Sequence, residues 1–144
     1  FFLIIVYAQI SIGAFVSGMD AGTVYNTWPM MGSNFFPDDN NFFNLLSFSA
    51  FNDPSLVQFM HRNLAYVIIL IYLIIFFNVY RAKIEKLYRS INLIGLFLII
   101  QVILGILTLL YGAQIYLASM HQISSIFLVS SCVYFLFLNK QSSS

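Results

Sequence analysis

Leu56-Val57-Gln58-Phe59-Met60-His61-Arg62 opens an apolar run that continues to about Tyr80, and it sets an imidazole and a guanidinium one to two helical turns inside that run. The run is long enough to cross a hydrocarbon core of roughly 30 Å, which takes about twenty residues. An ionisable group at such a depth is expensive to bury and is normally paired. One other residue repeats the placement. His121, in Met120-His121-Gln122, heads a second apolar run that reaches about Leu138, and these are the two histidines of the chain.

The remainder of the sequence fits a membrane protein. It is 60% hydrophobic and 8% charged, with a mean hydropathy of +0.88, well outside the composition of a soluble globular domain. Three complete spans and most of a fourth are predicted at about residues 1–17, 56–80, 91–111 and 117–138. The expected fold is therefore an all-α, integral membrane four-helix bundle, one domain over residues 1–144. Cys132 is the single cysteine, which excludes an intrachain disulfide and a cysteine-built metal site. Phe1 already lies inside an apolar run, without an initiator Met, a basic lead-in or a signal cleavage site. The expectation is a piece of a longer protein whose upstream part is missing.

Ala14, Gly18 and Gly22 follow a small-xxx-small spacing that lets helices or a cofactor face come close. A long polar connection, 18–55, comes next. It contains Tyr25-Asn26-Thr27-Trp28-Pro29, which reads as a turn with an interfacial aromatic anchor. Residues 41–51 are apolar and aromatic but too short to span, so an interfacial helix is expected there. Every acidic residue but Glu85 falls in this connection, and neither Lys nor Arg does. A loop of this length in a small bundle reads as functional, as a lid for example. Arg81, Lys83, Lys86 and Arg89 crowd the next connection and Lys140 follows the last span, which places both on the cytoplasmic or matrix side. Both histidines then lie near the outer ends of their spans, level with each other and roughly 6–9 Å into their helices.

Two level histidines on separate helices of one bundle suit a shared metal, and a haem iron clamped between two imidazoles is the expected one. The haem propionates need cationic or hydrogen-bonding partners. Arg62, beside His61, is the basic residue on the outer side and suits a carboxylate as a two-pronged donor. Gln58, Gln122, Asn26, Thr27 and Trp28 could add donors at that level, and Phe, Leu and Ile would wall the porphyrin faces. The bland alternative makes each histidine an interfacial residue bonded to a carbonyl or water, and Arg62 a snorkelling headgroup contact. A zinc or copper site would need further ligands, and the outer Asp residues have no metal-motif spacing. Tyr66, Tyr72, Tyr111 and Tyr116 read as belt or packing aromatics. Gln101, in mid-span, reads as a helix-to-helix hydrogen bond, with a channel or quinone contact as the alternative. The Gln-Ser-Ser-Ser tail carries no signal.

Four blocks resemble the haem A synthase family: Gly18-Met-Asp-Ala-Gly-Thr-Val-Tyr-Asn-Thr-Trp-Pro-Met-Met-Gly32, Val57-Gln-Phe-Met-His-Arg-Asn-Leu-Ala-Tyr66, Leu104-Gly-Ile-Leu-Thr-Leu-Leu110 and Leu117-Ala-Ser-Met-His-Gln122. The first two are specific; the others support them by order and spacing. The resemblance covers nearly the whole chain, and is narrowest to the carboxy-terminal half of the alphaproteobacterial and mitochondrial version.

That resemblance implies half of a pseudo-symmetric eight-span oxidoreductase that oxidises the C8 methyl of haem O to the formyl of haem A. This half would hold a haem b for electron transfer through His61 and His121. Catalytic residues are then expected in the missing half, and Asp20 is not promoted to that role. This piece alone should bind haem without catalysing. The implied partners are the bilayer, haem O, an electron donor or acceptor, haem O synthase and a second copy of the protein, with no nucleic acid. The implied location is a bacterial inner or mitochondrial inner membrane, with the histidines toward the periplasmic or intermembrane side. A free-standing cytochrome b-like carrier and a non-haem transporter or assembly factor are the rival readings.

Overall fold

The computed structural model describes residues 1–141; residues 142–144 of the polar tail lie outside the described residues. Among the described residues four α-helices carry the fold: α1 (Phe2–Gly18), α2 (Pro54–Arg81), α3 (Glu85–Leu110) and α4 (Ile115–Lys140). The last three are long and apolar enough to cross a membrane, and α1 is apolar but shorter. The chain is thus an all-helical membrane bundle.

Each spanning helix extends past the span expected from hydropathy, because a helix outlasts the apolar stretch that crosses the bilayer. At the head of α2, Asp53 accepts the Leu56 N–H at 3.0 Å and Pro54 occupies the first helical position, two features that start a helix. The charged segment Glu85–Arg89, expected to be loop, forms the first turn of α3. Glu85 there suits the positive end of the helix dipole, and Leu87 within the segment and Ser90 just after it are buried.

The tight turns that join α2 to α3 and α3 to α4 close in the same way. After α2, the Ile84 N–H bonds the Val79 carbonyl and the Lys83 N–H bonds that of Tyr80. After α3, Ala113 bonds Thr108 and Gly112 bonds Leu109. Both are Schellman closures, which require a left-handed residue just past the helix. Gly112 takes that conformation freely at φ 67°, while Lys83 takes it at φ 53°.

Each helix packs on the next in the chain and α4 closes back on α1, so α2 and α4 stand on a diagonal. Val6, Ile68, Leu98 and Leu128, one buried residue from each helix, meet in mid-bundle, and the core continues from them toward the basic end through Ile94, Ile91, Leu87 and Cys132. The Tyr72 hydroxyl lies against α3 at Gly95, where it donates to the Ile91 carbonyl at 3.4 Å. A Cβ at Gly95 would stand 2.1 Å from that oxygen. Gly95→Ala should therefore expel the tyrosine tip and lower stability by about 1–3 kcal/mol. Thermal unfolding in detergent checks this, and Tyr72→Phe in the same background should recover part of the loss.

Two expectations are corrected. Residues 41–51 do not form one interfacial helix; they make two 3-10 turns, Phe42–Leu46 and Phe48–Asn52. Ser47, extended at φ −99° and ψ 145°, ends the first and caps the second, as serine does when its hydroxyl competes for backbone N–H groups. The Ala14, Gly18 and Gly22 stripe is not a packing seam either. Ala14 and Gly18 are exposed, and of the three only Gly22 lies tight, where an added Cβ would stand 3.2 Å from Ala113 Cβ. The intimate contact of α1 is at Gly13, one residue off the stripe.

Candidate functional site

His61 lies seven residues into α2 and His121 six residues into α4, which at about 1.5 Å per residue is roughly 9–11 Å from each helix start. That is deeper than expected, because both helices begin earlier than hydropathy suggests. The rings are level. Their centroids are 6.4 Å apart across the bundle diagonal and their planes are 81° apart.

Between them runs a cleft with about 1150 Å³ of space free of protein atoms, its open flank included. Val6, Ile68, Leu98 and Leu128 floor it, and Trp28 and Arg62 stand at its mouth. Five buried side-chain nitrogen or oxygen atoms have no hydrogen-bond partner among the described residues: Gln9 Oε1, Gln58 Oε1, His61 Nδ1, Arg62 Nε and His121 Nδ1. All five residues line this one cleft. A buried polar atom left unpaired costs about 1–3 kcal/mol, and such atoms are rare enough that five in one place call for a polar occupant.

Neighbouring helices hold both histidines in place. Gln9 on α1 donates to the His61 carbonyl at 3.0 Å, and its amide nitrogen lies 3.4 Å from the ring Nε2. Gln101 on α3 donates to the His121 carbonyl at 3.0 Å and also to Ser124 Oγ, the helix-to-helix bond expected of it. Sequence reasoning missed Gln9 and Gly13. The signal that could have found them is the spacing Gln9-xxx-Gly13, which recurs as Gln101-xxx-Gly105.

Arg62 is tied to the outer loop. Its Nη1 donates to the carbonyls of Thr27 (2.8 Å) and Met30 (3.2 Å), and its Nη2 to that of Tyr25 (2.8 Å). Gln58 donates to the same Tyr25 carbonyl at 3.1 Å. Asn26 bonds the carbonyls of Gly22 and Leu109, fastening the loop to the end of α3. The Thr27 hydroxyl is used within the loop, and Gln122 is exposed and does not line the cleft. Of the five outer residues expected as donors, Gln58 and Trp28 reach the cleft, Asn26 and Thr27 shape the loop over it, and Gln122 does neither.

The loop's carboxylates serve its own attachment. Asp39 accepts from Ser55 at 2.6 Å and from Tyr25 at 3.0 Å, and Asp53 accepts from Asn40 at 3.1 Å. Partial burial pushes the Asp39 carboxyl up, but the bonds from Ser55, Tyr25 and Asn40 outweigh it and hold the group below its ordinary value. Asp38 is held low by Asn34 and Ser33. A carboxylate lowered in the folded state stabilises above its unfolded pKa and loses that contribution as pH falls through the folded one. The loop should thus stay docked from neutral pH down to about pH 4 and loosen only below it. Trp28, the single tryptophan, reports this by its emission. A transition centred above pH 5 would contradict the assignment.

Among the described residues no three of His, Cys, Asp and Glu stand together as a metal-holding group. The two imidazoles alone suit a metal whose other ligands arrive with it.

Comparison with known proteins follows the same line. The sequence model of one family, COX15-CtaA, described as cytochrome oxidase assembly protein, matches residues 1–133. A Heme A synthase of Pelagibacter ubique (strain HTCC1062) is 39% identical over 142 residues, which is 99% of this chain and 41% of that protein. Those of Rickettsia felis (strain ATCC VR-1525 / URRWXCal2) and Rickettsia bellii (strain OSU 85-389) are 37% and 40% identical, covering 96% and 95% of the chain and 41% and 40% of their own lengths. The chain spans about two fifths of the length of these relatives. No solved structure matches.

Proposed function

Because the chain belongs to the COX15-CtaA family of cytochrome oxidase assembly proteins, we propose that it is the haem b-holding half of a haem A synthase-like membrane oxidoreductase. The intact enzyme would oxidise the C8 methyl of haem O to the formyl of haem A, with its catalytic residues in the part of those longer relatives that this chain does not span. The observation that carries the reading is the single cleft in which all five unpartnered buried polar atoms gather around two facing imidazoles.

The residues fit a haem. The two imidazoles stand across the cleft with ring centroids 6.4 Å apart, and each carries a buried Nδ1 with no partner among the described residues. A porphyrin brings most of the metal's ligands with it, and His61 and His121 would hold the iron from the protein side. When bound, the haem supplies a one-electron iron centre, and ligation on both faces suits electron transfer more than oxygen activation.

Arg62 serves as the propionate partner. A guanidinium has five N–H groups, and three are engaged by the loop carbonyls. One N–H on Nε and one on Nη2 remain, an adjacent pair that a carboxylate accepts side by side. The apolar floor keeps water from the metal, and Trp28 with the loop covers the outer edge. The basic connection between α2 and α3 faces the cytoplasm or matrix, so the cleft opens near the periplasmic or intermembrane surface of a bacterial or mitochondrial inner membrane. Haem O, an electron donor or acceptor, haem O synthase and a second copy of the protein are the proposed partners beside the bilayer.

The test is spectral and chemical together. The full-length protein containing this chain is purified with haem supplied, its reduced-minus-oxidised spectrum recorded, and conversion of haem O followed. A sharp low-spin b-type band with conversion is the expected result. A band without conversion would replace this reading with a plain electron carrier, and no band would end the haem assignment.

A further inference from the structure

The two hairpins of the bundle hold their histidines by one device used twice. On α1, Gln9 bonds the His61 carbonyl at 3.0 Å; on α3, Gln101 bonds the His121 carbonyl at 3.0 Å. One turn further along each helix is a glycine against the imidazole. A Cβ at Gly13 would lie 3.1 Å from His61 Cε1, and one at Gly105 would lie 3.2 Å from His121 Cε1. The partners are 52 residues apart in one hairpin and 20 in the other. The same contact is thus reached through the long outer loop on one side and a tight turn on the other. Shared local geometry across such different connections does not come from the connections.

Helix packing alone would not ask for either glutamine. A carboxamide within an apolar span is tolerated when it is bonded to a neighbour, and leucine would fill the same volume without that demand. Within its own helix the histidine carbonyl is placed to accept the N–H four residues on, and at His121 the Ser124 hydroxyl shares that carbonyl at 3.0 Å; the glutamine bonds it from the neighbouring helix. Such a bond pins the axial register of α2 on α1, and of α4 on α3, at the level of the imidazole. The glycine then fixes how closely the ring lies on the neighbouring helix. Register and approach together set the depth and tilt of each ring.

We propose that Gln9 and Gln101 are paired positioning residues that, with Gly13 and Gly105 as seats, lock the two imidazoles at their 6.4 Å separation and near-perpendicular planes. This rests on the bis-histidine haem reading above. The bundle is in this sense a repeated histidine-holding hairpin, with residues 19–53 inserted in the first copy. Partners of this kind, one step out from the metal ligands, typically change metal affinity about 10- to 100-fold.

The experiment compares Gln9→Leu, Gln101→Leu, Gly13→Ala and Gly105→Ala in the full-length haem-loaded protein, with Asn92→Leu at the far end of the bundle as control. Two readouts are taken: the ferric low-spin EPR signal that His61→Ala removes, whose anisotropy follows the angle between the axial ring planes, and the rate at which haem passes to an excess of an apo-haemoprotein acceptor. Each leucine variant should keep the low-spin band, shift the EPR anisotropy and release haem about tenfold faster; the control should do neither. The alanine variants guard against a folding defect, because alanine favours a helix over glycine. They should fold at least as well as the parent and still shift the EPR signal, since the ring must move by a few tenths of an ångström. A purely structural role would raise their stability and leave the spectrum alone. EPR signals and release rates like the parent's in all four variants would overturn the proposal and leave the haem reading standing. A parent without haem would overturn both.

Discussion

His61→Ala and His121→Ala should each abolish the sharp reduced b-type band, and the double variant should look no worse than either. Each imidazole would be one of the two protein ligands to the iron, so losing one should remove the low-spin state that both are needed to make. Haem retention should fall by more than the 10- to 100-fold typical of a residue one step removed from the metal. The effect on the haem-free protein should be small. Each substitution deletes a ring nitrogen that is buried without a partner, whose presence costs the empty bundle about 1–3 kcal/mol. That relief offsets packing lost into a cleft that is already open. Histidines kept for packing would give the reverse: marked loss of haem-free stability and no spectral change. Thermal unfolding beside difference spectra separates the two, and a low-spin band surviving both single substitutions would sink the ligand assignment.

Much of this arrangement was legible in the chain. Hydropathy alone fixes the number of spans, because a backbone in lipid must satisfy its own hydrogen bonds and so crosses as helix. The pairing of His61 with His121 also came through, since both stand just inside the head of a span on the side away from Arg81, Lys83, Lys86 and Arg89. Helix ends were less visible. The first turn of α3 carries Glu85, Lys86 and Arg89, and a hydropathy reading stops at charge where the helix does not. The neighbours of the histidines were least visible. Gln9 is a lone amide and Gly13 a lone small residue until α1 is laid against α2, and proximity between helices 52 residues apart is not a local property. For Arg62, sequence position suggested a propionate partner or a headgroup contact, and nothing of its ties to the loop. It bonds three carbonyls of a loop more than thirty residues upstream, and no periodicity encodes a backbone acceptor.

Arg62→Lys should loosen that loop and weaken haem retention together, although it keeps the charge. The guanidinium reaches the carbonyls of Tyr25, Thr27 and Met30 at once because its nitrogens are spread over a rigid plane. An ammonium has a single nitrogen and a shorter overall reach, and cannot span them. Hydrogen bonds to a charged group are worth about 1.5–3 kcal/mol each. Water at the mouth replaces part of this, and Gln58 still serves the Tyr25 carbonyl, so a net loss of about 2–4 kcal/mol is expected. That amounts to about a 30- to 1000-fold rise in the fraction of molecules with the loop undocked. Protease cleavage within residues 25–30 and a red shift of Trp28 emission should both report it, in haem-free protein as well as loaded. The propionate role is then read from what exceeds the loop effect. Asn26→Ala removes the loop's bonds to Gly22 and Leu109 without touching the arginine. If haem is lost faster from Arg62→Lys than from Asn26→Ala at equal loop opening, the guanidinium holds the haem as well as the loop. Equal rates would leave Arg62 a strap for the loop alone, and unchanged cleavage in Arg62→Lys would show that the three carbonyl bonds do not hold the loop down.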